Sequence, residues 1–146
     1  MEIYTIGFTK KSAAEFFDAL KRAGVRRLVD VRLHNTSHLA GFAKCDNLEY
    51  FLKEICGAEY IHLPLLAPTD ELLDGLKDKS LPWEQYEARF LALLAERQVE
   101  RVVDKRLFED GPTVLLCGEA EAEHCHRRLV AEYLQTKWGG FEISHL

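Results

Sequence analysis

The sequence predicts an α/β fold: a single-domain three-layer sandwich over residues 1–146, with a mostly parallel sheet of about five strands and helices on both faces. Three observations predict it. Short apolar runs alternate with segments of helical period in the order β-α-β-α-β-α-α-β-α-β. Right-handed crossovers in such an order place helices on both sides of the sheet. Thr113 to Cys117 (TVLLC) is almost continuously apolar, which suits a central strand covered on both faces.

The elements follow in order. Residues 2–7 (EIYTIG) read as a short buried strand ending on Gly7. Ser12 and Glu15 form a capping box, after which Ala13, Phe16, Phe17 and Leu20 recur at helical spacing until Gly24. Leu28, Val29 and Val31 make a second strand, and a polar loop of about fourteen residues follows it, long for a connection. Residues 47–56 are helical by spacing, Gly57 ends them, and residues 60–63 form a third strand closed by Pro64. Residues 70–78 make a short helix, and Pro82 opens a long one that runs to about Val103. After the central strand a last helix spans about Glu121 to Lys137, Gly139 and Gly140 stop it, and Phe141 to His145 complete a final strand.

Composition excludes several classes. The charge of -5, from 24 acidic against 19 basic residues, argues against a protein that coats nucleic acid by charge alone. No apolar run approaches the ~20 residues that cross a bilayer. Residues 1–30 carry charges where a signal peptide is apolar, so a cytoplasmic chain with no membrane partner is expected. Cys45, Cys56, Cys117 and Cys125 are then reduced thiols rather than a disulfide framework.

Ligands of parallel sheets bind at the carboxyl ends of strands, and the least ordinary residues all follow strands. The segment Cys117 to Arg128 packs two thiols, two imidazoles, three carboxylates and two guanidinium groups into one strand-to-helix turn. Three chemistries compete there. An anion could be held by backbone N–H groups of the first helical turn with His126 and Arg127, Glu119 serving as acid, base or hydroxyl acceptor. Cys117 or Cys125 could be a nucleophilic thiol. A metal could bind the cysteines and a histidine, but there is no C-x-x-C pair and no fourth ligand, so no metal is expected. The plain alternatives are buried cysteines that pack as small hydrophobes, a core imidazole and a solvated arginine.

Asp30 and Arg32 point to the same side of the second strand, either as an internal ion pair or with Arg32 as a bidentate anion donor helped by Ser37 and Lys44. Gly7, Thr9 and Lys10 join the first strand to its helix and could meet an anion. One glycine is neither a dinucleotide fingerprint nor a P-loop, and no cofactor is indicated. His62 and Trp83 read as packing residues, and Arg97, Arg101, Lys105 and Arg106 as a solvated face.

The segments Thr5-Ile6-Gly7-Phe8-Thr9, Asp30-Val31-Arg32, Leu39 to Lys44, Tyr60 to Pro64, Leu66 to Thr69 and Cys117-Gly118-Glu119 through Cys125-His126-Arg127-Arg128 resemble the family catalogued as domain of unknown function 488. The resemblance spans nearly the whole chain and implies a small α/β domain with no assigned activity. It singles out Gly7, Asp30, Arg32, Cys117, Glu119, Cys125, His126 and Arg127. Many relatives carry a proline at the first helical position where this chain has Ala122, so its helix start is less rigidly set. The expected function is binding of, and catalysis on, a small phosphorylated or anionic ligand or a nucleic-acid end. The alternatives are an interaction module built on a polar network and a thiol- or metal-dependent enzyme.

Overall fold

A computed structural model describes residues 1–36, 41–118 and 124–146. The strands are β1 (Glu2–Gly7), β2 (Arg27–Asp30), β3 (Glu59–His62), β4 (Thr113–Cys117) and β5 (Glu142–His145). Their order in the sheet is β3-β2-β4-β1-β5, and every pairing is parallel. The fully buried β4 lies at the centre, as its apolar run requires.

Alternation along the strands sorts the core into two layers. Val29, Val31, Leu115 and Cys117 face one side with Tyr86, Phe90, Leu94, Leu129 and Val130. Leu28, Val114, Leu116 and Ile6 face the other with Phe16, Phe17, Leu20, Leu48 and Leu52. The helices of the second layer are α1 (Ala13–Ala23) and α2 (Cys45–Phe51), the latter continuing as a π-helical turn over Leu52–Cys56. Those of the first include α3 (Asp70–Lys77), α4 (Trp83–Arg97), α5 (Val99–Val102) and α7 (His126–Trp138), and the short α6 (Arg106–Glu109) precedes β4. The expected three-layer α/β architecture is therefore present. No helix among the described residues is long and apolar enough to cross a membrane.

Two boundaries differ from expectation. The long helix after Pro82 does not run unbroken to Val103: Gln98 adopts a left-handed conformation (φ 52°) that ends α4 and turns the chain into α5. The last helix begins in the described structure at His126 rather than near Glu121, with Cys125 in the extended N-cap position.

Helix α1 follows its sequence signals closely. The Ser12 side chain accepts from the Glu15 N–H at 3.1 Å, Glu15 accepts from the Ser12 N–H at 3.0 Å, and Gly24 closes the helix in a left-handed conformation (φ 66°). Ser12→Ala is expected to lose about 1 kcal/mol of stability, since both halves of the box are made. Equilibrium urea unfolding checks it.

Candidate functional site

At the carboxyl end of β2 the chain buries a full charge. Asp30 is completely inaccessible, and its carboxylate accepts four hydrogen bonds: from the Arg32 backbone N–H (3.1 Å), Arg32 Nε (2.9 Å), Arg32 Nη2 (2.8 Å) and the Tyr60 hydroxyl (2.6 Å). Asn35 Nδ2 donates to that hydroxyl at 3.1 Å. Arg32 also donates to the Ala43 carbonyl at 2.7 Å and lies 5.3 Å from the Phe8 ring centroid. Burial works to lower the Arg32 pKa, but the bonds to Asp30 and its charge outweigh it and hold the guanidinium above its ordinary value. Desolvation and the bond to Asp30 both push the Tyr60 phenol up. Arg32 thus makes the internal ion pair with Asp30.

On the opposite face of the same edge, β4 ends in Cys117 and α7 begins one residue after Cys125. Cys117 Sγ is 3.3 Å from His126 Nδ1. The ligand atoms of Cys117, Cys125 and His126 all lie within 4.8 Å of one another, and all three residues are buried. His126 Nε2 is 2.7 Å from the Val31 carbonyl. A carbonyl can only accept, so Nε2 carries the proton. Burial holds the His126 pKa below the ordinary imidazole range, which keeps the ring neutral near pH 7 with Nδ1 unprotonated, and the Cys117 sulfur lies against the ring, 3.7 Å from Nε2. Contact with Cys117 and burial both raise the Cys125 thiol well above its ordinary value. None of the four cysteines is bridged.

The two clusters meet at consecutive peptide groups of one strand end. His126 donates to the carbonyl of Val31, and His62 Nε2, at 2.7 Å, donates to that of Arg32. Arg32 and Cys117 are near enough for charge on the sulfur to act on the guanidinium. Gly7, Asp30, Arg32, Cys117, Cys125, His126 and Arg127 thus gather at one edge of the sheet, divided between its two faces. Arg127 is not on a solvated face: it is 1% exposed, and its charge acts on both Cys125 and His126.

The other candidates lie further out. Thr9 is exposed and ties its loop to β4 through its N–H (3.0 Å) and hydroxyl, both donating to the Gly118 carbonyl. Lys10 is exposed and adopts a positive φ of 62°. Lys44 is the N-cap residue of α2 and makes no side-chain cap bond. Ser37 and Glu119 fall outside the described residues.

Several participants were not singled out beforehand. Tyr60 and Asn35 complete the Asp30 network across about thirty residues of sequence. Tyr86 of α4 is close enough to Cys117 and Cys125 for their charge to help burial raise its phenol pKa. A tyrosine in a core stripe signals a hydroxyl that needs a polar neighbour, the one clue available. Arg97 departs from its expected solvated role by donating to the Leu65 and Ala67 carbonyls at 2.8 and 2.7 Å.

The chain is similar to the family model described as domain of unknown function DUF488, which matches residues 12–134. No curated protein and no solved structure matches it.

Asp30→Asn removes the charge that balances Arg32 in a buried setting and is expected to cost about 3–5 kcal/mol. Urea unfolding measures the loss; a change below about 1 kcal/mol would show that the pair is not a fold determinant.

Proposed function

The chain belongs to the family described as domain of unknown function DUF488, and from the geometry at its sheet edge we propose that it acts on small anionic compounds through the thiol of Cys117. One observation carries the reading: Cys117 Sγ stands against the His126 imidazole, 3.3 Å from Nδ1 and 3.7 Å from Nε2, while Nε2–H is held by the Val31 carbonyl. This is a nucleophile, a base and an orienting group in sequence. When sulfur attacks an electrophilic centre its proton passes to Nδ1, the bond from that centre to its leaving group breaks, and the leaving group departs with the electron pair and takes the proton from Nδ1 while Nε2–H stays on Val31. The Arg32 charge, which interacts with the Cys117 sulfur, favours the thiolate that this transfer creates. The Lys10 ammonium on the exposed rim favours a substrate bearing phosphate or carboxylate near the reacting centre.

A second reading, an interaction module held by a structural polar network, draws support from Asp30, whose carboxylate is bonded fully within the protein. Alkylation separates the two. The thiol reading expects iodoacetate to modify Cys117 faster than neutral iodoacetamide does, with inorganic phosphate slowing the iodoacetate reaction. His126→Asn is expected to reduce the rate at Cys117 by about 100-fold or more, the contribution of a positioned general base. Site-resolved mass spectrometry, with the half-buried Cys45 as internal reference, reads each rate. Equal rates for both reagents and no effect of His126→Asn would overturn the thiol reading in favour of the module.

A further inference from the structure

We propose that Cys117, Cys125 and His126 bind one thiophilic divalent cation of the zinc class. The inference rests on the same side chains as the thiol reading and adds a regulator to it, because a cation held by both sulfurs withdraws Cys117 from electrophiles.

Four observations carry it. First, the donor atoms are gathered around one point, close to but not all at ligand spacing. Bond lengths of about 2.3 Å to sulfur and about 2.05 Å to nitrogen put these donors about 3.6 Å apart across a tetrahedral zinc. Cys117 Sγ and His126 Nδ1 are 3.3 Å apart, and no two of the three donors are separated by more than 4.8 Å. Second, the imidazole is prepared as a ligand: Nε2–H is engaged by the Val31 carbonyl, the outer-shell bond that fixes ring and tautomer at metal sites, and Nδ1 carries the lone pair. Third, the donor set is soft, and it is backed by apolar and aromatic groups. Cys117 and Cys125 belong to the core layer with Tyr86, Phe90 and Leu129, and Phe90 stands edge-on to His126 with centroids 5.6 Å apart.

The fourth is charge. A divalent cation with two thiolates and a neutral imidazole is a complex of net charge zero, which a buried site tolerates where a lone thiolate or cation is penalised. A monovalent ion would leave the complex at -1. Loading releases two protons, one from each thiol, since Nδ1 is already bare. Three protein donors also leave one coordination position of a tetrahedral ion for water or an anionic ligand. The linear spacing hides the site: seven residues separate Cys117 from Cys125, and the grouping arises only because the strand end and the helix start converge.

Cadmium is the spectroscopic probe, titrated into the reduced full-length chain and followed by its ultraviolet thiolate charge-transfer band, with zinc then used in competition. The band is expected to saturate at one cadmium per chain. Cys117→Ser, Cys125→Ser and His126→Asn should each weaken binding by about 100-fold or more. A Cys45→Ser, Cys56→Ser double variant should bind as the wild type does. Thermal melts establish that each variant is folded. A measurement on the wild type needs no variant: cadmium should protect Cys117 and Cys125 from iodoacetamide while Cys45 and Cys56 are still modified. Absence of a stoichiometric band, a band that disappears with Cys45 and Cys56, or alkylation of Cys117 and Cys125 unaffected by cadmium would each overturn the proposal. Alkylation without metal tests the thiol reading and the charge-transfer band tests the cation site, so either can fail alone.

Discussion

The buried carboxylate of Asp30 is the constraint around which the carboxyl edge of this sheet is arranged. A fully inaccessible charge costs several kcal/mol unless it is matched and its lone pairs are filled. Here four donors fill them, and each fixes something else. The Arg32 backbone N–H sets the turn after β2. Its guanidinium reaches on to the Ala43 carbonyl and so anchors the segment that leads into α2. The Tyr60 hydroxyl locks the register between β2 and β3, in which Asp30 stands opposite His62. Removing the carboxylate would release the loop, the helix entrance and the edge strand together.

That rigidity is passed to the other face through the backbone. The Val31 and Arg32 carbonyls, consecutive along the chain, each accept an imidazole N–H, one from α7 and one from the end of β3. The position of the Val31 carbonyl decides the tautomer of His126, and the tautomer decides what meets Cys117. A charged network on the α1 and α2 side thus determines the protonation geometry of a sulfur on the α7 side. Burial of Asp30, Arg32, Val31, His126 and Cys117 makes this coupling stiff, because a packed interior has no room for an alternative ring orientation.

Much of this was legible in the sequence because it depends on local signals. The capping box at Ser12, the terminating Gly24, the alternation in the strands and the apolar run of β4 each act over a few residues, and each appears where expected. The break at Gln98 was not legible, since a glutamine in a left-handed conformation leaves no composition signal. For the site, strand ends located the right neighbourhood, and Asp30 with Arg32 could be foreseen as a pair from their spacing of two. Tyr60 and Asn35 could not, because a buried acid recruits whatever donors the topology delivers. In the sequence, Cys117 and Cys125 with a histidine form a metal set that no C-x-x-C spacing singles out from the anion and thiol chemistries. Their convergence depends on α7 starting at His126, a boundary the sequence signals put several residues earlier.

The choice of orienting group sets the character of the Cys117 and His126 pair. A carboxylate behind the imidazole would stabilise the protonated ring strongly and favour a standing thiolate–imidazolium pair. Val31 offers a neutral carbonyl instead, and burial already holds the imidazole towards its uncharged form. The resting imidazole is therefore neutral and carries no charge in the buried core. Separation of charge then requires compensation from outside the pair: the Arg32 guanidinium acts on the Cys117 sulfur, whereas Arg127 lowers the His126 pKa and works against the imidazolium. A divalent cation compensates in another way, by neutralising two thiolates at once. Both proposals thus follow from one physical condition: these sulfurs can hold negative charge only when a positive partner arrives or is already fixed beside them.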